Sequence, residues 1–583
     1  MCKEIIKINN LNFTYPRTEK ALLRDINLEI KEGEFVIITG ANGSGKTSLG
    51  KCINGLIPYS TGGVFNGRVE ICGVNTLEKD VSELALYAGF VFPNPEDQLA
   101  TPLVETEIAF GLCNLGIGRD MISQRVDAIL DRFEIGQLRH NSTFDLSTGQ
   151  QQMVAIASCA VMEPKVLILD DPIAHLNQNT SAEVVEIVKD LIKRGTTIIW
   201  ISQDMSQVFE FADRVVLLDG GQIAFDGPPR GLSEEMDFTD LPVIAPQHLA
   251  FTHGLRRVGF PEDLIEISLD KTIRRLRGLM AAVGHSMGSG ENSRSVDPKK
   301  SEPMIRFDQV SFQYPNGLWA LKDIDLEFYS GDFVLLSGWN GSGKTTLMKH
   351  LNGLLRPTKG VVFVGGEDIY RKPTSQLARG VGFLFQNPDH QLHKPTVREE
   401  LAFSLKNFGV PDERVTERIL ETSEEFGLES VLDRSPQELS GSEKKKVTVA
   451  SVLIYDPRIV VLDEATANLD REQARNIIEK IEGYADENRI VISISHDVRM
   501  WAESDRLNRV IIMKDGQITD QGTPEKVLSN TEIMGHLYGG LLPVTQIACS
   551  LSDKGVSPTH YRTKSLTAEL KRLAKGSFDV FAQ

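Results

Sequence analysis

The sequence predicts an α/β protein built as two copies of one plan, each with a mainly parallel core sheet. Three observations carry this. Apolar, β-rich runs such as EFVIITG (34–40) and DFVLLSG (332–338) end in glycine and feed a helix. VLILDD, TTIIWIS, IVVLDE and RIVISIS are near-continuous apolar runs, as a parallel sheet buried on both faces requires. Segment after segment of the first half also returns in the second half, in the same order.

Taken along the chain, LNFTYP (11–16) recurs as VSFQYP (310–315), and GANGSGKTSLGKCINGL (40–56) as GWNGSGKTTLMKHLNGL (338–354). GFVFPNPEDQL (89–99) matches GFLFQNPDHQL (382–392), and LVETEIAFGLCNLGI (103–117) matches TVREELAFSLKNFGV (396–410). VLILDDPIAHLN (166–177) answers to VVLDEATANLD (460–470). After each core, LPV (241–243 and 542–544) leads into short amphipathic runs that read as a small helical appendix. The stretch 284–303 is polar and rich in Gly and Ser, the composition of a flexible tether. The expected boundaries are a first nucleotide-binding domain over 1–228, its appendix over 229–283, the linker over 284–303, a second domain over 304–528 and its appendix over 529–583.

A length of 583 residues suits about two to four domains. Hydrophobic content of 41% and charged content of 25% are those of a soluble globular protein. A net charge of −17 argues against nucleic acid as the main partner, because phosphate backbones are bound through Lys and Arg. It leaves room for nucleotide phosphates in a pocket. Six cysteines form no CxxC pair, which fits a reduced, intracellular protein. The start MCKEIIKINN carries no signal peptide, and no apolar run reaches the ~18 residues that cross a bilayer.

GANGSGKT (40–47) and GWNGSGKT (338–345) both fit GxxxxGK[ST] at a strand-to-helix junction. The N–H groups of such a loop turn toward phosphate oxygens, and the helix N-terminus adds the positive end of its dipole. The expected nucleotide contacts are Gly40, Asn42, Gly43, Gly45, Lys46, Thr47 and Ser48 in the first copy. In the second they are Gly338, Asn340, Gly341, Gly343, Lys344, Thr345 and Thr346. Lys46 and Lys344 reach the β- and γ-phosphates, while Thr47 and Thr345 hold Mg²⁺. VLILDD and IVVLDE each put an acid at the carboxyl end of a buried strand, where open α/β sheets bind ligands. Asp170 and Asp463 then support the same Mg²⁺, and the next residue, Asp171 or Glu464, polarises the attacking water.

LSTGQQQ (146–152) and LSGSEKK (439–445) stand between a P-loop and the second acidic strand, ahead of helical runs. At this point the sequence resembles the ATP-binding-cassette (ABC) ATPases, whose LSGGQ-like signature separates them from other P-loop proteins. The NPxxQL segments Asn94–Leu99 and Asn387–Leu392, the FxYP starts, the AFGLxNxG-like runs and the LPV-led appendices narrow the resemblance. They look like the ATPases of energy-coupling factor transporters, which import vitamins and transition-metal ions. The resemblance spans nearly the whole chain, as a fused tandem pair.

It implies two ABC-type P-loop lobes, each with a helical signature subdomain and a helical C-terminal appendix. It also implies ATP and Mg²⁺ as ligands and a peripheral position on the cytoplasmic face of the cell membrane. An integral transmembrane component would dock near 94–110 and 387–403, and a separate small membrane protein would capture the solute. Tyr15 and Tyr314 match the aromatic residue that stacks on adenine; a strand-end aromatic packed on the core is an equal reading of the residues themselves. Gln386 matches the glutamine that contacts Mg²⁺ and water, and Pro93 stands in its place in the first copy. His496 of ISHD (494–497) matches the γ-phosphate switch histidine, where ISQD (201–204) has Gln203.

In the family each ATP lies between the P-loop and acids of one lobe and the signature of the other. The first composite site then combines Lys46, Pro93, Asp171 and Gln203 with Ser440, Ser442 and Glu443. Pro93 lacks both an amide side chain and a backbone donor. Asp171 is one methylene short of glutamate, and a retreat of about 1 Å can cost on the order of 100-fold in rate. Gln203 cannot carry a proton's charge, and Ser442 replaces a glycine whose bare backbone approaches phosphate. The second composite site combines Lys344, Gln386, Asp463, Glu464 and His496 with Ser147, Gly149 and Gln150. Only Thr148, for the first signature glycine, and Asn177, for the loop aspartate, depart there. The expectation is a first site that binds ATP without turning it over and a second that hydrolyses it; the rival reading makes Asp171 a working base, with the other changes only tuning rate.

The alternative is a soluble twin-cassette ATPase acting on ribosomes or other RNA. The acidic charge, the missing long charged helix between the copies and the two appendices speak against it. A regulatory ATP-binding module without turnover leaves Glu464 and His496 without a use. The run Lys444–Lys446 reads as a solvated helix face rather than a lipid contact.

Overall fold

The computed structural model describes residues 4–174, 176, 178–282, 302–467 and 469–574. Asn177 and the expected tether up to residue 301 lie outside the described residues. The chain divides into two compact units between Leu276 and Arg277.

The first unit contains strands β1 (Glu4–Thr14), β2 (Leu23–Lys31), β3 (Phe35–Gly40), β4 (Val64–Ile71), β5 (Val74–Asn75), β6 (Ala88–Val91), β7 (Val166–Asp170), β8 (Thr197–Ile201), β9 (Arg214–Asp219) and β10 (Gln222–Gly227). They form an antiparallel sheet ordered β2-β1-β4-β5 and a larger sheet ordered β10-β9-β3-β8-β7-β6. In the larger sheet β3 lies between β8 and β9 and is parallel to both; only β10 runs antiparallel. The second unit repeats this with β11 (Ile305–Gln313), β12 (Trp319–Phe328), β13 (Phe333–Gly338), β14 (Lys359–Val364), β15 (Glu367–Asp368), β16 (Val381–Leu384), β17 (Ile459–Asp463), β18 (Ile490–Ile494), β19 (Arg509–Lys514) and β20 (Gln517–Gly522). Its sheets are ordered β12-β11-β14-β15 and β16-β17-β18-β13-β19-β20.

The continuous apolar runs are explained by burial on both faces. Val36 and Ile38 of β3 face the core shared with β1, β2 and β4, while Phe35 and Ile37 face the core shared with the helices. Val334 and Leu336 divide from Phe333 and Leu335 in the same way. Each such side chain, fully buried, contributes about 1.5–3 kcal/mol, and four apolar residues run unbroken in each strand before the buried Thr39 and Ser337.

Helices Val104–Asn114, Arg119–Arg132 and Thr148–Ala160 make a helical subdomain in the first unit; Val397–Asn407, Asp412–Phe426 and Gly441–Leu453 match them in the second. Each signature opens its helix with a capping box: Ser147 with Gln150, and Ser440 with Glu443. The appendices are helical too, over Gln247–Arg257 and Leu269–Ala282, and over Pro543–Ser550 and Thr563–Ala574. In the first unit Ile244, just past LPV, donates to the Gln203 carbonyl at 2.9 Å and accepts from the Met205 N–H at 3.0 Å. The appendix therefore grips the loop that carries Gln203. No helix among the described residues is long and apolar enough to cross a membrane.

Candidate functional site

Each P-loop leaves a central strand and turns directly into a helix, Lys46–Ile53 or Lys344–Lys349. Gly40 and Gly338 are obligatory there: a Cβ on either would stand 2.1 Å from the carbonyl oxygen of Leu218 or Met513. Their φ values of +145° and +149° also lie in the region that favours glycine.

The lysines are buried, each 7% exposed. Lys46 Nζ donates to the Gly40 and Ala41 carbonyls at 2.8 Å, and Lys344 Nζ to the Gly338 and Trp339 carbonyls at 2.8 Å. Burial holds the Lys344 ammonium below its usual range, opposed by the charges of Glu464 and Asp463.

At the second residue of each helix, Thr47 Oγ1 donates to Asp170 Oδ1 at 3.1 Å and Thr345 Oγ1 to Asp463 Oδ2 at 2.7 Å. Burial pushes the Asp170 carboxyl up to about 7, with help from the neighbouring Asp171 charge, and burial raises Asp463 likewise. Asp170 Oδ2 is buried with no hydrogen-bond partner. A hydroxyl and a carboxylate with an unpartnered oxygen form the hard-oxygen set that Mg²⁺ takes together with phosphate oxygens. Among the described residues no cluster of three or more His, Cys, Asp or Glu could hold a metal by itself. The residues fit an ion that arrives with its nucleotide.

The acid after each strand has an unusual backbone: Asp171 lies at φ 44° and Glu464 at φ 52°, left-handed for residues that carry a Cβ. Their N–H groups donate to Ile201 at 2.8 Å and Ile494 at 3.0 Å. Such strain costs of order 1–3 kcal/mol and persists where the surroundings over-determine it.

Past the backbone, the two units differ. Glu464 Oε1 accepts from the His496 N–H at 3.2 Å and lies 2.9 Å from His496 Nδ1; Ser495 Oγ donates to Oε2 at 3.4 Å. Burial disfavours the imidazolium, but the hydrogen bond and charge of Glu464 outweigh it and hold His496 above its ordinary value. In the first unit Gln203 instead donates its amide to Asn42 Oδ1 of the P-loop. Ser147 and Gln150, and Ser440 and Glu443, are engaged in their own helix caps.

Tyr15 and Tyr314 close the ends of β1 and β11. Each packs edge-on against a core phenylalanine, Phe13 at 4.8 Å and Phe312 at 4.9 Å. Each hydroxyl hydrogen-bonds the residue after the Mg²⁺ threonine, Ser48 at 3.0 Å and Thr346 at 2.9 Å. Gln386 has an exposed side chain and Pro93 is half-buried, both at the exit of the outermost parallel strand.

Several roles were not visible in the sequence. The glutamine of each NPxxQL segment is a brace: Gln98 accepts from the Phe92 N–H at 3.0 Å, and Gln391 from the Phe385 N–H at 3.4 Å. Gln391 also donates to Thr448 and Ser451 of the signature helix at 3.2 and 3.0 Å. Buried Glu107 and Glu400 each collect two backbone N–H groups at 2.7–3.0 Å where these segments enter the next helix. Gly149 is required within its own unit, since a Cβ would lie 2.6 Å from Thr180 Cγ2.

The reading of Lys444–Lys446 as a solvated face is corrected. Lys445 is 3% exposed and donates to the carbonyls of Gln386 at 3.2 Å and Glu464 at 3.0 Å, and Lys444 is paired with Asp389 at 2.7 Å. Lys445 continues the buried stripe of Thr448, Val449 and Val452, a spacing that marks it as inward-facing. Burial pushes its ammonium down to about 8 against the charges of Glu464 and Asp463.

The family model and the curated relatives place this chain among known proteins. The ABC transporter family matches residues 23–174 and again 321–467. An ABC transporter ATP-binding protein of Methanosarcina acetivorans is 35% identical over 565 residues, 94% of this chain and 91% of its own. One from Caldanaerobacter subterraneus is 32% identical over 538 residues, 91% of this chain and 93% of its own. The solved structure of cbiO1 from Clostridium perfringens, described as part of the ABC transporter complex cbiONQ, is 32% identical and covers 44% of this chain and 94% of that chain at TM-score 0.37. Two P-loop lobes, each with an acid-tipped central sheet and a signature helix, make this chain a tandem ATPase of the ABC transporter family.

Proposed function

We propose that the chain is the energy-coupling subunit of an energy-coupling factor type importer for a micronutrient, a vitamin or a transition-metal ion. ATP hydrolysis takes place at the second P-loop, and the first P-loop binds ATP as a structural ligand. The observation that carries the asymmetry is the pair Glu464–His496, 2.9 Å apart, where the first unit has Asp171 and Gln203.

In this reading Lys344 and the glycine-rich loop bind the β- and γ-phosphates. Thr345, Asp463 and Gln386 would hold Mg²⁺, which would supply positive charge against the phosphate oxygens. Glu464 orients the attacking water, and His496 holds the carboxylate in place and senses the γ-phosphate. Tyr314 bounds the adenine side. In the first unit Lys46, Thr47, Asp170 and Tyr15 do the same binding, while Pro93, Asp171 and Gln203 leave it without the catalytic set.

The importer assignment is supported by the NPxxQL segments and the LPV-led appendices. The matched Phe110 and Phe403, 46% and 43% exposed on the first helix of each signature subdomain, suit a membrane component docking along 94–110 and 387–403. A peripheral position on the cytoplasmic face follows from that partner.

The test is gentle detergent purification of the protein from its own cell's membranes, with mass spectrometry of what accompanies it. One transmembrane scaffold together with a small membrane-embedded binding protein is the expected result. Recovery with ribosomes, or alone in the soluble fraction, would overturn the importer assignment and leave the ATPase standing.

A further inference from the structure

We infer that Lys445 is a positioning residue for hydrolysis in the second unit, tying the main chains of Glu464 and Gln386 to the signature helix. The inference rests on the reading of Glu464 as the group that orients water.

Lys445 lies five residues after Ser440, the N-cap of helix Gly441–Leu453, so the signature and this ammonium belong to one rigid segment. A charge buried this deeply is tolerated only where it is hydrogen-bonded. Here the acceptors are two main-chain carbonyls, Gln386 at 3.2 Å and Glu464 at 3.0 Å, rather than a carboxylate. The ammonium thus fixes the backbone of both residues and leaves their side chains to other partners.

The backbone of Glu464 is left-handed and is held from several sides. Its N–H is tied to Ile494, its carboxylate to His496 and Ser495, and its carbonyl to Lys445. The bond to Gln386 fixes the point where the chain leaves β16. A shift of the signature helix is then carried to both residues at once.

The first unit supplies the contrast. Gln152 stands at the matched position, 2% exposed, and its Nε2 has no hydrogen-bond partner. Asp171 shares the left-handed backbone, but the matched position of its signature helix holds Gln152 rather than a lysine. The brace accompanies the glutamate.

The experiment compares wild type, Lys445→Met, Lys445→Gln and Glu464→Gln in the full chain. It measures steady-state kcat and KM for ATP, equilibrium binding of a fluorescent ATP analogue, and thermal unfolding. Lys445→Met is expected to lower kcat by roughly tenfold or more, with KM and nucleotide affinity nearly unchanged, because a misplaced catalytic group slows chemistry rather than binding. Lys445→Gln keeps one donor, folds as the first unit does around Gln152, and is expected to fall between the two.

Wild-type kcat in both lysine variants overturns the inference. So does a loss of kcat matched by an equal loss of nucleotide affinity in Lys445→Gln, which marks a merely structural role. Glu464→Gln separates the premises. Full turnover in that variant removes the role of Glu464 itself; a dead Glu464→Gln beside fully active lysine variants removes only the role of Lys445.

Discussion

His496 Nδ1 lies 2.9 Å from Glu464 Oε1, and the backbone N–H of His496 donates to the same oxygen at 3.2 Å. One residue thus holds a carboxylate with both its ring and its main chain. The main-chain bond survives any substitution of the side chain, so His496→Ala isolates the ring. That variant is expected to lower kcat by on the order of 100-fold or more while nucleotide affinity changes little; steady-state kinetics with a parallel binding titration checks it.

The same pair sets a pH dependence. His496 is held above its ordinary value, with the Glu464 bond and charge prevailing over burial. A group whose folded-state pKa is raised contributes stability that is fully present below the unfolded value of about 6.5 and is lost as pH rises through the folded value. Thermal unfolding of wild type and His496→Ala without nucleotide is therefore expected to differ most on the acid side of neutrality, and to converge as pH rises.

Gly149 and Ser442 occupy the same signature position, yet only the first unit demands glycine there. A Cβ at residue 149 would stand 2.6 Å from Thr180 Cγ2. Gly149→Ala is expected to destabilise the first unit by about 1–3 kcal/mol through overpacking. Adding Thr180→Ala removes the opposing methyl and should restore most of the loss, as read by denaturant unfolding.

Glu400 holds the backbone N–H groups of His393 and Lys394, each at 2.8 Å, at the mouth of helix Val397–Asn407. Glu400→Ala leaves both donors without their acceptor, a cost of about 1–3 kcal/mol. Amide hydrogen exchange at residues 393 and 394 is expected to rise well before that of the core strands. Unchanged exchange there would show that the segment is held by other bonds.

What the sequence revealed and what it concealed follow one physical rule. The parallel core was legible because burial on both faces forces unbroken apolar runs, as in Val166–Leu169 and Ile459–Leu462. The P-loop was legible because glycines, lysine and threonine must be adjacent in the chain to form it. Roles that depend on packing between distant segments left little trace. Gln98 and Gln391 act as braces only because the signature helix lies beside them, and the left-handed Asp171 and Glu464 carry no local turn signal. Lys445 sat in a run of three lysines, where composition suggested solvent and helical spacing, taken alone, would have suggested burial.

The division of labour between the two P-loop sites is the central claim, and paired carboxamide substitutions address it most directly. Steady-state ATP turnover would be measured in the full chain carrying Glu464→Gln and, separately, Asp171→Asn. Glu464→Gln is expected to lower kcat by at least about 100-fold, and Asp171→Asn to change it by less than about twofold. Equal losses from both substitutions would contradict the account, because they would make the two acids working partners in hydrolysis.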